Sequence, residues 1–199
     1  MPWFLQDLAT YGLSIHLPRV LGEILPAGSS AAVGTVLEES LLVAGGVGAT
    51  MLCRWVEVIP QQIAGFCGCA FALALAAWGA RGDQPQPLLL AIGLGLFLFT
   101  TNLGPNATTY LLAGNVFPAG ERARGAGLAT AAGKGGAVLT ALLVPLVLER
   151  WGPAPLLVGL GGSSLLGAAL TWGLARQWKQ RLDDATPTVA YATQHANEK

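Results

Sequence analysis

Lys134 is the only charge in a long run of small and apolar residues, Gly125-Ala-Gly-Leu-Ala-Thr-Ala-Ala-Gly-Lys134-Gly-Gly-Ala-Val-Leu, and no other charged residue follows before Glu149. An ammonium that deep in an apolar helix is costly in lipid. It is expected only where a cavity, a counter-charge or an anionic ligand compensates it. A candidate counter-charge lies near the start of the chain, where Trp3, Asp7 and Tyr11 recur every four residues. Four helical residues advance about 400°, so the three drift by only about 40° per step and line one face with an indole N–H, a carboxylate and a phenol. A third polar cluster is Asn102-Leu-Gly-Pro-Asn106-Ala-Thr-Thr-Tyr110. Pro105 removes a backbone donor there and frees a carbonyl, and proline among polar residues at membrane depth marks a kink lining a cavity. Together the three clusters point to transport of a solute.

The elements that must position these groups are membrane helices. Of the 199 residues 53% are hydrophobic and 11% charged, and the mean hydropathy is +0.54; an ordinary soluble domain carries roughly 25% charged residues. A formal net charge of zero argues against a nucleic-acid partner or simple adhesion to anionic lipid. Apolar stretches of roughly 20 residues, the length that crosses about 30 Å of hydrocarbon, predict an all-α membrane protein with six transmembrane helices at about 2–20, 36–55, 58–79, 87–112, 123–148 and 154–175. Proline and glycine in the connectors stop the helices, and 179–199 reads as a flexible polar tail. Cys53, Cys67 and Cys69 lack metal-ligand or disulfide spacing, and no basic leader or cleavage site marks a signal peptide.

Basic residues set the expected orientation. Arg54, Arg122, Arg124, Arg176, Lys179 and Arg181 fall on one side and Arg19, Arg81 and Arg150 on the other, so both termini are expected in the cytoplasm of a multi-pass plasma (inner) membrane protein. Glycines inside the helices predict closely packed backbones. Gly127-Leu-Ala-Thr-Ala-Ala-Gly133-Lys134 has five residues between its glycines and no Ser or Thr after Lys, so it is not a phosphate-binding P-loop. No nucleophile, base and metal-ligand set converges, which argues against an enzyme, and neither a cofactor nor a metal is expected.

Trp3-Phe-Leu-x-Asp7-x-Ala-x-Tyr11-Gly, Gly104-Pro-Asn106-Ala-Thr-Thr-Tyr, Val116-Phe-Pro, Arg122-x-Arg124-Gly and Ala-Ala-Gly133-Lys134-x-Gly-Ala together resemble the C-terminal half of phosphate:proton symporters of the major facilitator superfamily. The resemblance runs from Trp3 to about Thr171. It implies half of a facilitator fold, a substrate-contacting set of Trp3, Asp7, Tyr11 and Asn106 with Lys134 as a nearby cation, and inorganic phosphate or a similar small anion and protons as cargo. Dihydrogen phosphate both donates and accepts hydrogen bonds, which suits that set. Burial and a neighbouring ammonium act in opposite senses on a carboxyl group's hold on its proton, so Asp7 is the candidate for proton coupling.

Structural roles stand beside each of these readings. Trp3 could anchor at the interface, Tyr11 and Asn106 could tie helices together, and Asp7 with Lys134 could be a structural ion pair. His16, Glu38 and Glu39 read as solvated groups toward the outer face. Two departures from the family pattern concern the loops: Asn115 stands where an acidic residue is usual, and Arg54-Trp-Val-Glu-Val-Ile59 replaces a basic loop, although Pro60, Gln62 and Gly65 keep step. Facilitators pair two six-helix halves around a central substrate, so a chain of this length is expected to need an N-terminal half as partner. The alternatives are a non-transporting remnant or membrane assembly module, or a facilitator for another small metabolite.

Overall fold

The computed structural model describes residues 2–14, 17, 31–82, 85–118 and 120–196, with the backbone alone for 31–33 and 177–196. Among them the chain is all-helical: α1 (Pro2–Ser14), α2 (Ala31–Leu52), α3 (Val58–Gly79), α4 (Pro87–Leu103), α5 (Pro105–Asn115), α6 (Arg122–Trp151) and α7 (Pro153–Ala196). Five stretches are long and apolar enough to cross a bilayer: Gly34–Leu52, Val58–Gly79, Pro87–Asn115, Arg122–Trp151 and Pro153–Arg176. The shorter α1 packs inside the bundle against α4, α5, α6 and α7.

Punctuation follows from residue chemistry. Pro87, Pro105 and Pro153 each occupy a first helical position, where the missing N–H costs no hydrogen bond. Gly152, at φ 75° and ψ −175°, turns the chain between α6 and α7 in a conformation that essentially only glycine adopts. α2 and α6 end three residues from their expected ends, at Leu52 and Trp151, and three further boundaries differ from the sequence expectation. α2 begins at Ala31 rather than 36, the span expected at 87–112 is two helices that break at Gly104 and end at Asn115, and the backbone stays helical to Ala196 where a flexible tail was expected from 179. Residues 15, 16 and 18–20 of the first expected span lie outside the described residues.

α3 is the centre of the packing, with Phe66, Cys69, Ala72, Leu73 and Ala76 buried and with α4, α5 and α7 packed against it. Lipid gives no hydrophobic drive for helix association, so backbone proximity and van der Waals contact must supply it. Gly93 of α4 shows the principle: a Cβ there would lie 2.5 Å from the Ala76 nitrogen and 2.8 Å from the Ala72 carbonyl oxygen of α3. The break in α4–α5 is held in the same way. A Cβ on Gly65 would lie 2.5 Å from both Gly104 Cα and Pro105 Cδ, so α3 presses against the bend without a side chain between them. Gln61 Nε2 donates to the Leu103 carbonyl at 2.8 Å, giving a partner to an acceptor at the interruption.

Gly93→Ala is expected to lower unfolding stability by about 1–3 kcal/mol relative to Gly46→Ala, whose added methyl meets nothing within 4 Å. Both changes gain the same helix propensity, so the difference, read from detergent-denaturation midpoints, reports the interhelical clash.

Candidate functional site

The site is built on the contact between α1 and α6. Gly133, Gly136 and Thr140 lie at i, i+3 and i+7 and form the face of α6 that meets α1. A Cβ on Gly133 would stand 2.6 Å from Trp3 Cδ1 and 3.1 Å from Asp7 Oδ2, and one on Gly136 would collide with the Phe4 carbonyl oxygen. From α1, Gly12 opens the matching space for Thr140. Thr140 Oγ1 then donates to the Leu8 carbonyl at 2.9 Å and sets the register of the two helices.

Lys134 follows Gly133 by one residue, about 100° around the helix, so it emerges beside this contact. Its ammonium lies 3.3 Å from Asp7 Oδ2, donates to Tyr11 Oη at 2.7 Å, and stands 4.5 Å from the centre of the Tyr11 ring. The pair is asymmetric. Asp7's side chain is 3% exposed and Lys134's is 50%, so the carboxylate is sealed inside the bundle while the cation faces outward. Lys134 lies about twelve residues into α6, roughly 18 Å along the helix. Trp3 is buried rather than interfacial, its ring edge-on to Tyr110 with centroids 4.6 Å apart. Its indole Nε1 has no hydrogen-bond partner among the described residues.

Asp7, Tyr11 and Lys134 therefore meet, with Trp3 one turn away. Asn106 makes no hydrogen bond to any of them; it joins a separate ladder. Gln6 Nε2 donates to Asn106 Oδ1 and to Thr10 Oγ1, each at 3.1 Å, and the hydroxyls of Thr10 and Thr101 are 3.2 Å apart. Asn106 Nδ2 donates to Asn102 Oδ1, and Asn102 Nδ2 donates to the Leu42 carbonyl at 2.7 Å. Asn102 belongs to the third polar cluster of the sequence, whereas Gln6, Thr10 and Thr101 were not singled out from it. The signal was present: Gln6 and Thr10 are four apart like Asp7 and Tyr11, and form a second polar stripe one residue earlier on α1.

Glu38 corrects another expectation. It is buried at 6% exposure rather than solvated, with Ser14 of α1 close to its carboxyl group, whereas Glu39 is exposed. Three residues along a helix turn about 300°, so Tyr11 and Ser14 share a face of α1 and the polar stripe continues to α2. His16 lies outside the described residues. Below Trp3, a cavity of about 780 Å³ opens between helix ends and is bordered by Trp3, Gln62, Thr109, Asn115, Phe117 and Thr171. Gln62 Nε2 donates to Thr171 Oγ1 at 3.2 Å, and Gln62 Oε1 is buried without a partner among the described residues.

An ion pair with one sealed partner makes a specific demand on stability. Lys134→Met is expected to destabilise the bundle by roughly 1–3 kcal/mol by stranding the Asp7 carboxylate, while adding Asp7→Asn restores part of the loss. A denaturation double-mutant cycle checks this through a nonzero coupling between the two positions.

Comparison with known proteins agrees with this architecture. The chain is 29% identical to the inorganic phosphate transporter PT2 of Toxoplasma gondii, over 85% of its own length and 31% of that protein's. It is 34% identical to the inorganic phosphate transporter PHO84 of Saccharomyces cerevisiae over 74% of its length and 26% of the relative's, and 28% identical to the probable inorganic phosphate transporter 1-12 of Oryza sativa over 89% and 38%. The chain thus spans about a third of the length of the curated relatives it matches. The family described as sugar (and other) transporter matches residues 59–174, more than half of the chain. With the membrane-length helices packed around α1 and α3, that match assigns the chain to the sugar (and other) transporter family of the major facilitator superfamily.

Proposed function

We propose that this chain forms one six-helix half of a secondary transporter that moves inorganic phosphate together with protons across the plasma (inner) membrane. A second half supplies the facing wall. The observation that carries the reading is the Asp7–Lys134–Tyr11 cluster, whose cation is half exposed far from either end of α6. A half-exposed ammonium at that depth would be costly against lipid and is accommodated by a water-lined anion pocket between two halves.

The unspent hydrogen bonds support an oxyanion as cargo. Lys134 uses one N–H on Asp7 and one on Tyr11, leaving a third; Tyr11 accepts from Lys134 and keeps its own hydrogen; Trp3 Nε1 lies beside the Asp7 carboxylate and makes no well-formed hydrogen bond among the described residues. Three donors around one cation suit phosphate, and a sugar would leave the ammonium uncompensated. The names of the relatives support the same anion. Asp7 is the group proposed to exchange a proton with the solvent, because its carboxylate depends on Lys134 for compensation and an arriving anion competes for that ammonium. Exposed Arg54, Arg122, Arg124 and Arg176 lie at the end of the bundle where α2 joins α3 and α5 joins α6, which supports a cytoplasmic location for that end.

The test is uptake of radiolabelled phosphate into proteoliposomes carrying the full chain, alone and with a candidate N-terminal half, under an imposed proton gradient. Accumulation is expected only with both halves. Asp7→Asn is expected to abolish it, and Lys134→Met to weaken phosphate by about tenfold or more. Undiminished accumulation by Asp7→Asn removes the coupling role. No uptake in either preparation favours a membrane assembly module.

A further inference from the structure

The amide ladder beside the ion pair has a direction that its chemistry fixes. The Leu42 carbonyl can only accept, so the end of Asn102 that faces it at 2.7 Å is the NH₂. Asn102 therefore turns its oxygen to Asn106, which must offer its own NH₂ there and turn its oxygen to Gln6. Gln6 in turn must present its NH₂ to Asn106, and the same NH₂ reaches Thr10. Asn102 and Asn106 each keep one amide hydrogen to spare on partly exposed side chains, and the ladder's one fully buried polar atom without a hydrogen-bond partner among the described residues is Gln6 Oε1, on a side chain only 2% exposed. Flipping that amide would set its oxygen against the Asn106 oxygen and leave two acceptors facing each other.

A buried amide oxygen left without a donor costs about 1–3 kcal/mol. Gln6 bonds Asn106 across to α5 and immediately precedes Asp7 on α1, so it is the ladder member next in sequence to the ion pair. We infer that Gln6 Oε1 is the acceptor for a substrate hydroxyl, and that it makes the site selective for oxyanions that carry a proton over those that carry none. Phosphate and arsenate are protonated near neutral pH and can donate to it. Sulfate carries no proton and would set an oxygen against it. A site built to hydrogen-bond a substrate hydroxyl rejects the analogue lacking one by a large factor, because its own buried group is then left unpaired. This inference rests on the proposed phosphate reading and adds to it the element that tells two tetrahedral oxyanions apart.

The test is competition against radiolabelled phosphate in the reconstituted full chain with its facing half, at mildly acidic pH, using unlabelled phosphate, arsenate and sulfate. The unmodified protein is expected to be competed by arsenate as by phosphate, and by sulfate only at about 100-fold or higher concentration. Gln6→Met, which fills the space without an acceptor, is expected to narrow the sulfate-to-phosphate ratio by about tenfold or more. Gln6→Glu keeps an acceptor and is expected to keep the ratio while weakening both anions. A Gln6→Met protein that binds phosphate and still excludes sulfate as before overturns the assignment. Should Gln6→Met fail to fold, Gln6→Glu decides alone: loss of the preference overturns the inference and its retention supports it. Absence of phosphate binding in the unmodified protein overturns both this inference and the phosphate reading beneath it.

Discussion

A carboxylate and an ammonium in a nearly dry helix bundle must meet, and the rest of the site is arranged around the geometry that lets them. Asp7 is sealed against solvent, so an unpaired charge there would be strongly unfavourable; the only described cation within reach is Lys134, on a helix more than a hundred residues away in sequence. The pairing requires α1 and α6 to approach until backbone meets side chain, which is why Gly133 and Gly136 face Trp3, Phe4 and Asp7. Thr140 then locks the axial register through the Leu8 carbonyl. A side chain at either glycine would strike Trp3 or the Phe4 backbone and push apart the two helices that carry the ion pair.

Helix packing and site chemistry use different faces of the same segments. α1 turns its apolar residues Ala9 and Leu13 into the core with α3, α4 and α7, its Asp7 and Tyr11 to Lys134, and its Gln6 and Thr10 to the ladder on α4 and α5. Thirteen described residues thus carry three functions because a helix separates consecutive side chains by about 100°. The cost is polar burial, which is tolerated because nearly every polar group on these faces has a partner. Among the described residues the exceptions, Trp3 Nε1, Gln6 Oε1 and Gln62 Oε1, belong to the site and the cavity below it rather than to the outer packing.

The break at Gly104 links the two. Interrupting α4–α5 lets Pro105 sit against Gly65 of α3 and turns Asn102 and Asn106 toward each other across the bend. Gln61 on α3 and Thr108 on α5 accept the consequences by donating to the Leu103 and Gly104 carbonyls. Irregular backbone at this depth survives because it is enclosed by protein and its carbonyls are satisfied.

Read from sequence alone, the class of the molecule was already determined: long apolar stretches with few charges admit only membrane helices, since lipid forces every backbone polar group to be satisfied within its own segment. Fourfold spacing likewise determined that Trp3, Asp7 and Tyr11 share a face, and one isolated lysine in a glycine run marked α6 as the helix that must answer it. Local periodicity cannot say which faces meet across the bundle. For that reason Glu38 read as solvated but is buried beside α1, and the bonds that Asn106 makes to Gln6 and Asn102 across the bundle were not legible in its own segment. Those outcomes depend on interhelical distances set by where glycines allow contact, a property of pairs of segments that no single segment encodes.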